Sequence, residues 1–538
     1  MSRDERCWLT AASAFALLAF NLPYLIGALR SSSAAPFTGI VYGVSDLFSY
    51  YAKMRIGAGG GWLYQNMYAV EPHPASPIYI FYIMLGKLAA LVTGQGSRVS
   101  ITTIAWAYHL ARLVTNTALL VTTYRLLCEF LSNVRQRRLA WVLLVFGGGF
   151  GWLAVALTGN PVVLGGPLDL YLGEASNAIA LLALPHVALG RACLLGGLLA
   201  VIRVEETDRT LSFAALWWLL AALLVPFHPV VAGGILAGWG ILRWVETRHF
   251  PVSLARSGAF ALLPGVVCMA LMLISTTGSP VYESWQVQNH LKLTGLLPLL
   301  VGYGVSLVLG IGGAWLALRH GRARRALLLG WTISALVLPW MPVSVSLRLI
   351  EGLFFPLVVL AMDAVEWLSR RWQPRWQKAA RVGWLALVVP SPLLLVIGST
   401  ALALYGADPA YLSKDEAAAF EWLRHTATDG VVVLSAAESG ERLPAAAPVR
   451  ALIGHGFETP YFEGKRSEIE RFFGAGMGDQ DRLDLLARYG VDLVYMGSRE
   501  RALRGEAQGG TPFDASALGL VPIYDWGEVV IYRAGQHG

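Results

Sequence analysis

Apolar runs long enough to cross a bilayer recur along the first three quarters of the chain. They fall at 7–29, 101–127, 139–158, 177–203, 211–226, 229–245, 257–277, 294–318, 326–341, 348–368 and 382–405. A run of about 20 apolar residues spans roughly 30 Å of hydrocarbon as a helix. Only 14% of the 538 residues are charged, against roughly 25% in a soluble domain. Most of this chain is therefore expected to face lipid or other helices. The fold expected is a polytopic α-helical membrane protein with about eleven transmembrane helices.

The net charge of +7 is decided by where the cations lie. Lys and Arg gather in "SNVRQRR" (132–138), "RVEETDR" (203–209), "RWVETRH", "RHGRARR" (319–325) and "RRWQPRWQKAAR" (370–381). The alternate connections "GNPVVLGGPLDLYLGEASN", "PFHP", "SPVYESWQVQNH" and "MPVSVSLR" hold almost none. That asymmetry places the N-terminus in the cytoplasm and residues 30–100 and 406–538 outside the cytoplasmic membrane. It holds only if the apolar stretch 77–94 lies on the membrane surface and does not span. The first run is read as an uncleaved span. No compact basic face alternates with aromatics, so nucleic acid is excluded as a partner. The four cysteines form no CxxC pair and are read as buried, inert thiols.

Composition changes near residue 406. "SKDEAAAFEWLRHTA", "SEIERFFGAG" and "DQDRLDLLARYG" have helical periodicity, while "GVVVLS", "VDLVYMG" and "EVVIYR" read as strands. Alternating strands and helices predict a small α/β domain. Two domains follow: a transmembrane domain at 1–405, including an external loop at 30–100 with interfacial helices, and a soluble external α/β domain at 406–538.

The expected spans are nearly free of acids. Asp46, Glu71, Asp169, Glu174 and Glu283 sit in predicted external loops, and Glu351 at a span mouth. A transporter would gather such groups at the midplane. Polar chemistry at the outer surface is expected instead. Arg348 in "VSVSLRLIEGLFFP" is the basic residue at an external span mouth late in the membrane part, suited to hold a phosphate as a planar fork. Glu351, one helical turn on, is placed to orient it. Glu71 and His73 in "EPHP", Glu174, His186 in "LPHVALGR" and His228 in "PFHPVV" are further candidates for donor or acceptor contact. Each also has a structural reading: a rigid turn for Glu71 and His73, satisfied histidines for His186 and His228. His109 and Arg112 lie inside the second run; the readings are pairing with an acid or a place near a polar head group. No tight spacing supports a metal site, so no metal ligand is assigned and no cofactor is required, although a divalent metal stays open.

The segment "VSDLFSYYAKM", the Gly-rich stretch after it and "PxxPIYIFYIMLGKL" follow one another soon after the first span. This arrangement resembles the GT-C superfamily of integral-membrane glycosyltransferases. The resemblance implies a GT-C-like membrane domain, a polyprenyl-phosphate-linked sugar donor, and a glycan, lipid or protein acceptor approaching from the external side. Asp46 matches the family's catalytic acid, although a single Asp stands where many members have an acidic pair. Transfer to a hydroxyl needs a base for the acceptor proton, and the departing phosphate needs positive charge. Two other function classes stay open: a transporter or flippase of lipid-linked glycans, and a non-catalytic membrane subunit of a larger assembly.

Overall fold

The computed structural model describes residues 1–160, 166–204, 211–320, 323–370, 372–406, 408–474, 476–505 and 513–535. Parts of three expected cytoplasmic loops (205–210, 321–322 and 371) and of the external loop before Asp169 (161–165) lie outside the described residues. By its internal contacts the chain divides into two compact units. The first comprises Met1–Pro23, Leu110–Leu271 and His290–Ala401; the second comprises Tyr24–His109, Met272–Asn289 and Leu402–Gly538.

Among the described residues, five helices are long and apolar enough to cross a membrane: Arg3–Arg30, Pro185–Val204, Val252–Thr276, Leu297–Arg319 and Pro374–Tyr405. Val134–Phe146 and Gly151–Thr158, bent by 40°, make a sixth if they are one span. This is an integral membrane protein by that measure. The eleven apolar runs do not become eleven such helices, for local reasons. The run at 177–203 is divided at Leu184, with helices Asn177–Ala183 and Pro185–Val204 on either side. The run at 348–368 begins as a 3₁₀ turn, Ser346–Ile350, and becomes α-helical only at Phe354–Ser369. Leu211–Leu224 has 14 residues and rises about 21 Å at roughly 1.5 Å per residue. Ile101–Phe130 has 30 residues, but it carries His109, Arg112 and Arg125.

Within the first unit, glycines set the break between Val134–Phe146 and Gly151–Thr158. A Cβ on Gly149 would come within 2.1 Å of the Val301 carbonyl oxygen. The Asp169 carboxylate accepts the Gly149 N–H (2.8 Å) and the Gly151 N–H (3.3 Å). These backbone donors would otherwise lack partners at the bend.

In the second unit, the C-terminal residues form a five-stranded sheet in the order β2-β1-β3-β5-β4. The strands are β1 (Val431–Leu434), β2 (Val449–Ala451), β3 (Leu493–Met496), β4 (Val521–Trp526) and β5 (Val529–Arg533). The strands β2, β1 and β3 are parallel, and β5 and β4 complete the sheet antiparallel. The predicted helices appear as Lys414–Thr426, Phe462–Phe473 and Asp479–Tyr489. Ser413 caps the first by accepting the Glu416 N–H at 3.1 Å. The sequence pattern did not reveal β2, which is three residues long, or β4, a mostly exposed edge strand interrupted at Pro522. Leu434, Ile453, Ile469, Phe472 and Val494 form one buried layer; Phe420, Leu423, Val433, Leu443 and Ile531 form the other.

The segment 77–94 contains the helix Ile80–Thr93, 14 residues long and too short to span. Met84, Leu88, Leu91 and Val92 are exposed on it. It packs backbone to backbone on Val44–Ala58. A Cβ on Gly86 would meet the Met54 carbonyl oxygen at 1.7 Å, and one on Gly57 the Ile83 carbonyl oxygen at 1.9 Å.

Candidate functional site

Asp46 lies in the first turn of the helix Val44–Ala58, which starts from Gly43 in the left-handed conformation, φ 58°. A carboxylate there is favoured by the unpaired N–H groups of the helix start. The rest of the helix turns inward: Leu47, Phe48, Tyr51 and Met54 are buried. Tyr50 stacks on Tyr82 with ring centroids 4.3 Å apart. The Asp46 side chain stays 57% exposed. The carboxylate thus reaches water from a helix that is otherwise firmly seated.

The side chain facing Asp46 belongs to the segment between β2 and the helix Phe462–Phe473. His455 Nε2 lies 3.3 Å from Asp46 Oδ1, and its Nδ1 accepts the Glu458 N–H at 3.2 Å. Glu458 is buried. Its Oε1 accepts from Lys53 Nζ (2.7 Å) and Ser49 Oγ (2.7 Å), and its Oε2 from Tyr64 Oη (3.0 Å). Burial pushes the Glu458 carboxyl up, but Lys53 and His455 outweigh it and hold it below the ordinary range. Lys53 is also ringed by aromatic faces, with Tyr79 4.2 Å from its ammonium. Beside Asp46, Ser45 Oγ donates to Glu441 Oε1 at 2.5 Å. Burial raises the Glu441 carboxyl.

Glu71 and His73 lie in the same unit but are engaged elsewhere. Glu71 pairs with Lys465 at 2.6 Å. His73 Nε2 accepts the Asn66 N–H (2.9 Å), and Nδ1 meets the Glu71 carbonyl (2.7 Å). Both ring nitrogens of His73 thus bind backbone, which braces the turn. Burial lowers the His73 imidazole.

The remaining candidates belong to the first unit. Arg348 Nη1 pairs with Glu174 Oε1 at 2.7 Å; Arg348 is 32% exposed and Glu174 3%. Glu351 does not orient Arg348 as expected. It is fully buried and takes a bidentate pair from Arg191, Nε to Oε1 at 2.5 Å and Nη2 to Oε2 at 3.0 Å. The α-helical spacing behind that expectation is absent here: the 3₁₀ turn Ser346–Ile350 ends before Glu351, which is its C-cap (φ −41°, ψ 123°), and the buried Arg191 guanidinium takes both carboxylate oxygens. Arg191 also donates to Asn177 Oδ1 (2.6 Å) and the Gly173 carbonyl (2.7 Å). His228 is buried with Nε2 3.9 Å from Glu351 Oε2, and His186 is half-buried. Arg112 is fully buried. It donates to the Leu181 and Leu182 carbonyls (3.2 and 2.9 Å), next to the helix break at Leu184.

The sequence reading missed His455, Glu458 and Lys53 around Asp46 in the second unit, and Arg191 as the partner of Glu351 in the first. His455 and Glu458 do fall in "GERLPAAAPVRALIGHGFETPYF", the most loop-like, aromatic and Gly-rich segment of the C-terminal part. No spacing links Asp46 to a partner 409 positions later. The cysteines were expected to be buried; only Cys193 is, Cys128 and Cys268 are half-buried, and Cys7 is exposed. Among the described residues, no group of three or more His, Cys, Asp or Glu side chains is placed to hold a metal ion.

No family profile and no curated protein sequence matches this chain. Solved structures do. The oligosaccharyltransferase of Archaeoglobus fulgidus, solved with a tethered acceptor peptide, aligns over 98% of this chain and 74% of its own, at TM-score 0.56 and 14% identity. ArnT from Cupriavidus metallidurans, solved with bound undecaprenyl phosphate, aligns over 98% of both chains at TM-score 0.51 and 14% identity. The arabinofuranosyltransferase AftD from Mycobacteria covers all of this chain with 40% of its own, at TM-score 0.51 and 16% identity. All three are GT-C glycosyltransferases. At such identities the likeness is one of architecture: this chain has the GT-C fold.

Proposed function

We propose that this protein is a membrane glycosyltransferase that moves a sugar from a polyprenyl-phosphate-linked donor to an acceptor on the external side of the cytoplasmic membrane. The observation that carries this reading is the Asp46 carboxylate, exposed on a rigid helix and contacted by His455 from the C-terminal segment. A proton acceptor held in this way suits attack by a hydroxyl on an anomeric carbon. The similar structures support the donor class, since ArnT was solved with undecaprenyl phosphate and the Archaeoglobus fulgidus enzyme AglB with a dolichol-phosphate. Arg348, braced by Glu174, is the proposed contact for the donor phosphate. Glu351, with His228 beside it, braces Arg191 from within the first unit, and Glu71 and His73 brace the first-loop turn. The charge asymmetry of the loops supports eleven crossings, several made by short or broken helices, with the N-terminus inside and residues 406–538 outside.

The test is single-turnover transfer from undecaprenyl-phosphate monosaccharides to alkyl glycosides. Asp46→Asn keeps the shape and removes the base. It is expected to slow transfer by about 10²–10⁴-fold while donor binding persists. Transfer at the wild-type rate overturns the assignment. The same assay separates the transport reading, in which the labelled lipid crosses the membrane with its sugar still attached.

A further inference from the structure

His455 is 5% exposed and its ring is fixed from several directions. Gly454 N–H donates to Thr459 Oγ1 (3.1 Å) and Thr459 N–H to the His455 carbonyl (2.9 Å). Gln288 Nε2 binds the Phe457 and Thr459 carbonyls (3.1 and 2.9 Å), and Asn66 Nδ2 the Glu458 carbonyl (2.6 Å). The backbone that carries the imidazole therefore cannot swing without breaking buried hydrogen bonds. Because Nδ1 accepts the Glu458 N–H, the proton of the neutral ring sits on Nε2, the atom that faces Asp46.

We propose that His455 is the positioning residue for Asp46, holding Oδ1 through its Nε2–H so that the carboxylate is presented to the acceptor hydroxyl in one orientation. This rests on the glycosyl-transfer reading. In the step itself the acceptor O–H proton passes to Asp46 and the acceptor oxygen bonds to the anomeric carbon. The bond from that carbon to the phosphate oxygen breaks, and its electron pair leaves with the phosphate. His455 keeps its proton throughout. The charged groups around the ring are Asp46 and Lys53 from the helix Val44–Ala58, Glu441 from the helix Ala437–Ala446, and Glu458 from its own loop. Glu458 bound to Lys53 keeps the loop closed on Asn66 and Tyr64.

Two substitutions separate positioning from simple loop support. His455→Gln puts an amide N–H near the Nε2 position, within reach of Asp46, and gives up the Nδ1 acceptor. His455→Asn puts an amide oxygen near the Nδ1 position, keeps the Glu458 N–H contact, and falls short of Asp46. The experiment compares single-turnover transfer by the full-length protein in detergent, using undecaprenyl-phosphate monosaccharides with octyl glycosides. His455→Asn is expected to lose about 10–100-fold, the scale of one hydrogen bond to a charged group, and His455→Gln to keep most of the rate. In an Asp46→Asn background, His455→Asn is expected to cost nothing further, because the group it positions is gone. The reverse ranking, or losses that multiply in the double variant, assigns His455 to loop support and overturns the proposal. An inactive Asp46→Asn with a fully active His455→Asn overturns the positioning role alone. An Asp46→Asn variant that transfers at the wild-type rate overturns Asp46 as the base and the positioning role with it, and no transfer by the wild-type protein overturns the glycosyl-transfer reading on which both rest.

Discussion

Lys53 Nζ lies 2.7 Å from Glu458 Oε1, and the two side chains are only 1% and 6% exposed. A pair withdrawn from water this completely gains its attraction against two large desolvation costs, so its net contribution to stability is small. Its consequence appears when one partner is lost. Lys53→Met should leave the Glu458 charge buried alone and destabilise the second unit by about 3–5 kcal/mol. The double variant Lys53→Met with Glu458→Gln should be markedly more stable than Lys53→Met. Thermal unfolding of the three purified proteins in one detergent checks this; a double variant no better than the single shows that the pair is not coupled.

The same carboxylate predicts an acid response. Glu458 is held below its unfolded value, so the unfolded chain binds the proton more readily. Its stabilisation is fully present above about pH 4.3, the unfolded value, and is lost as pH falls through the lower folded one. Melting midpoints measured from pH 7 to pH 3.5 should drop more steeply for wild type than for Glu458→Gln. Parallel curves would remove Glu458 from the account of acid stability.

The contact between Val44–Ala58 and Ile80–Thr93 predicts intolerance to a single methyl group. At Gly86 a Cβ would stand 1.7 Å from a backbone oxygen, which no rotamer change relieves. Gly86→Ala should destabilise by at least about 1–3 kcal/mol, although alanine is the better helix former. Gly464, in the helix Phe462–Phe473, has open space around its Cβ position. There Gly→Ala should stabilise by roughly 0.5–1 kcal/mol. Matched melting curves test the pair, and equal effects at both sites would refute the packing argument.

Arg348 predicts donor affinity. Arg348→Ala should weaken binding of undecaprenyl phosphate by about 10–100-fold. Arg348→Lys should recover only part, since a point charge replaces a planar fork. Native mass spectrometry of the lipid-bound protein measures both. Undiminished lipid binding by the alanine variant would reduce Arg348 to the partner of Glu174.

The sequence by itself determined the membrane class, the α/β character of residues 406–538, and Asp46 as the residue to examine. Each of these is a local property. Apolar length, strand and helix periodicity, and a lone acid among aromatics are all read within a few turns of chain. Tertiary structure alone decided the partners. Glu351 went to Arg191 because it caps the turn Ser346–Ile350 outside any α-helix, and a fully buried carboxylate requires a buried cationic donor. Arg112 went to the carbonyls of Leu181 and Leu182 because the helix breaks beside them, and buried carbonyls require donors wherever those are found. His455 reached Asp46 across 409 positions, once the loop after β2 was pinned by Glu458, Thr459 and Gln288. A hydrogen bond depends on ångström distances between atoms that folding brings together, and no periodicity in the chain records which distant segments will meet.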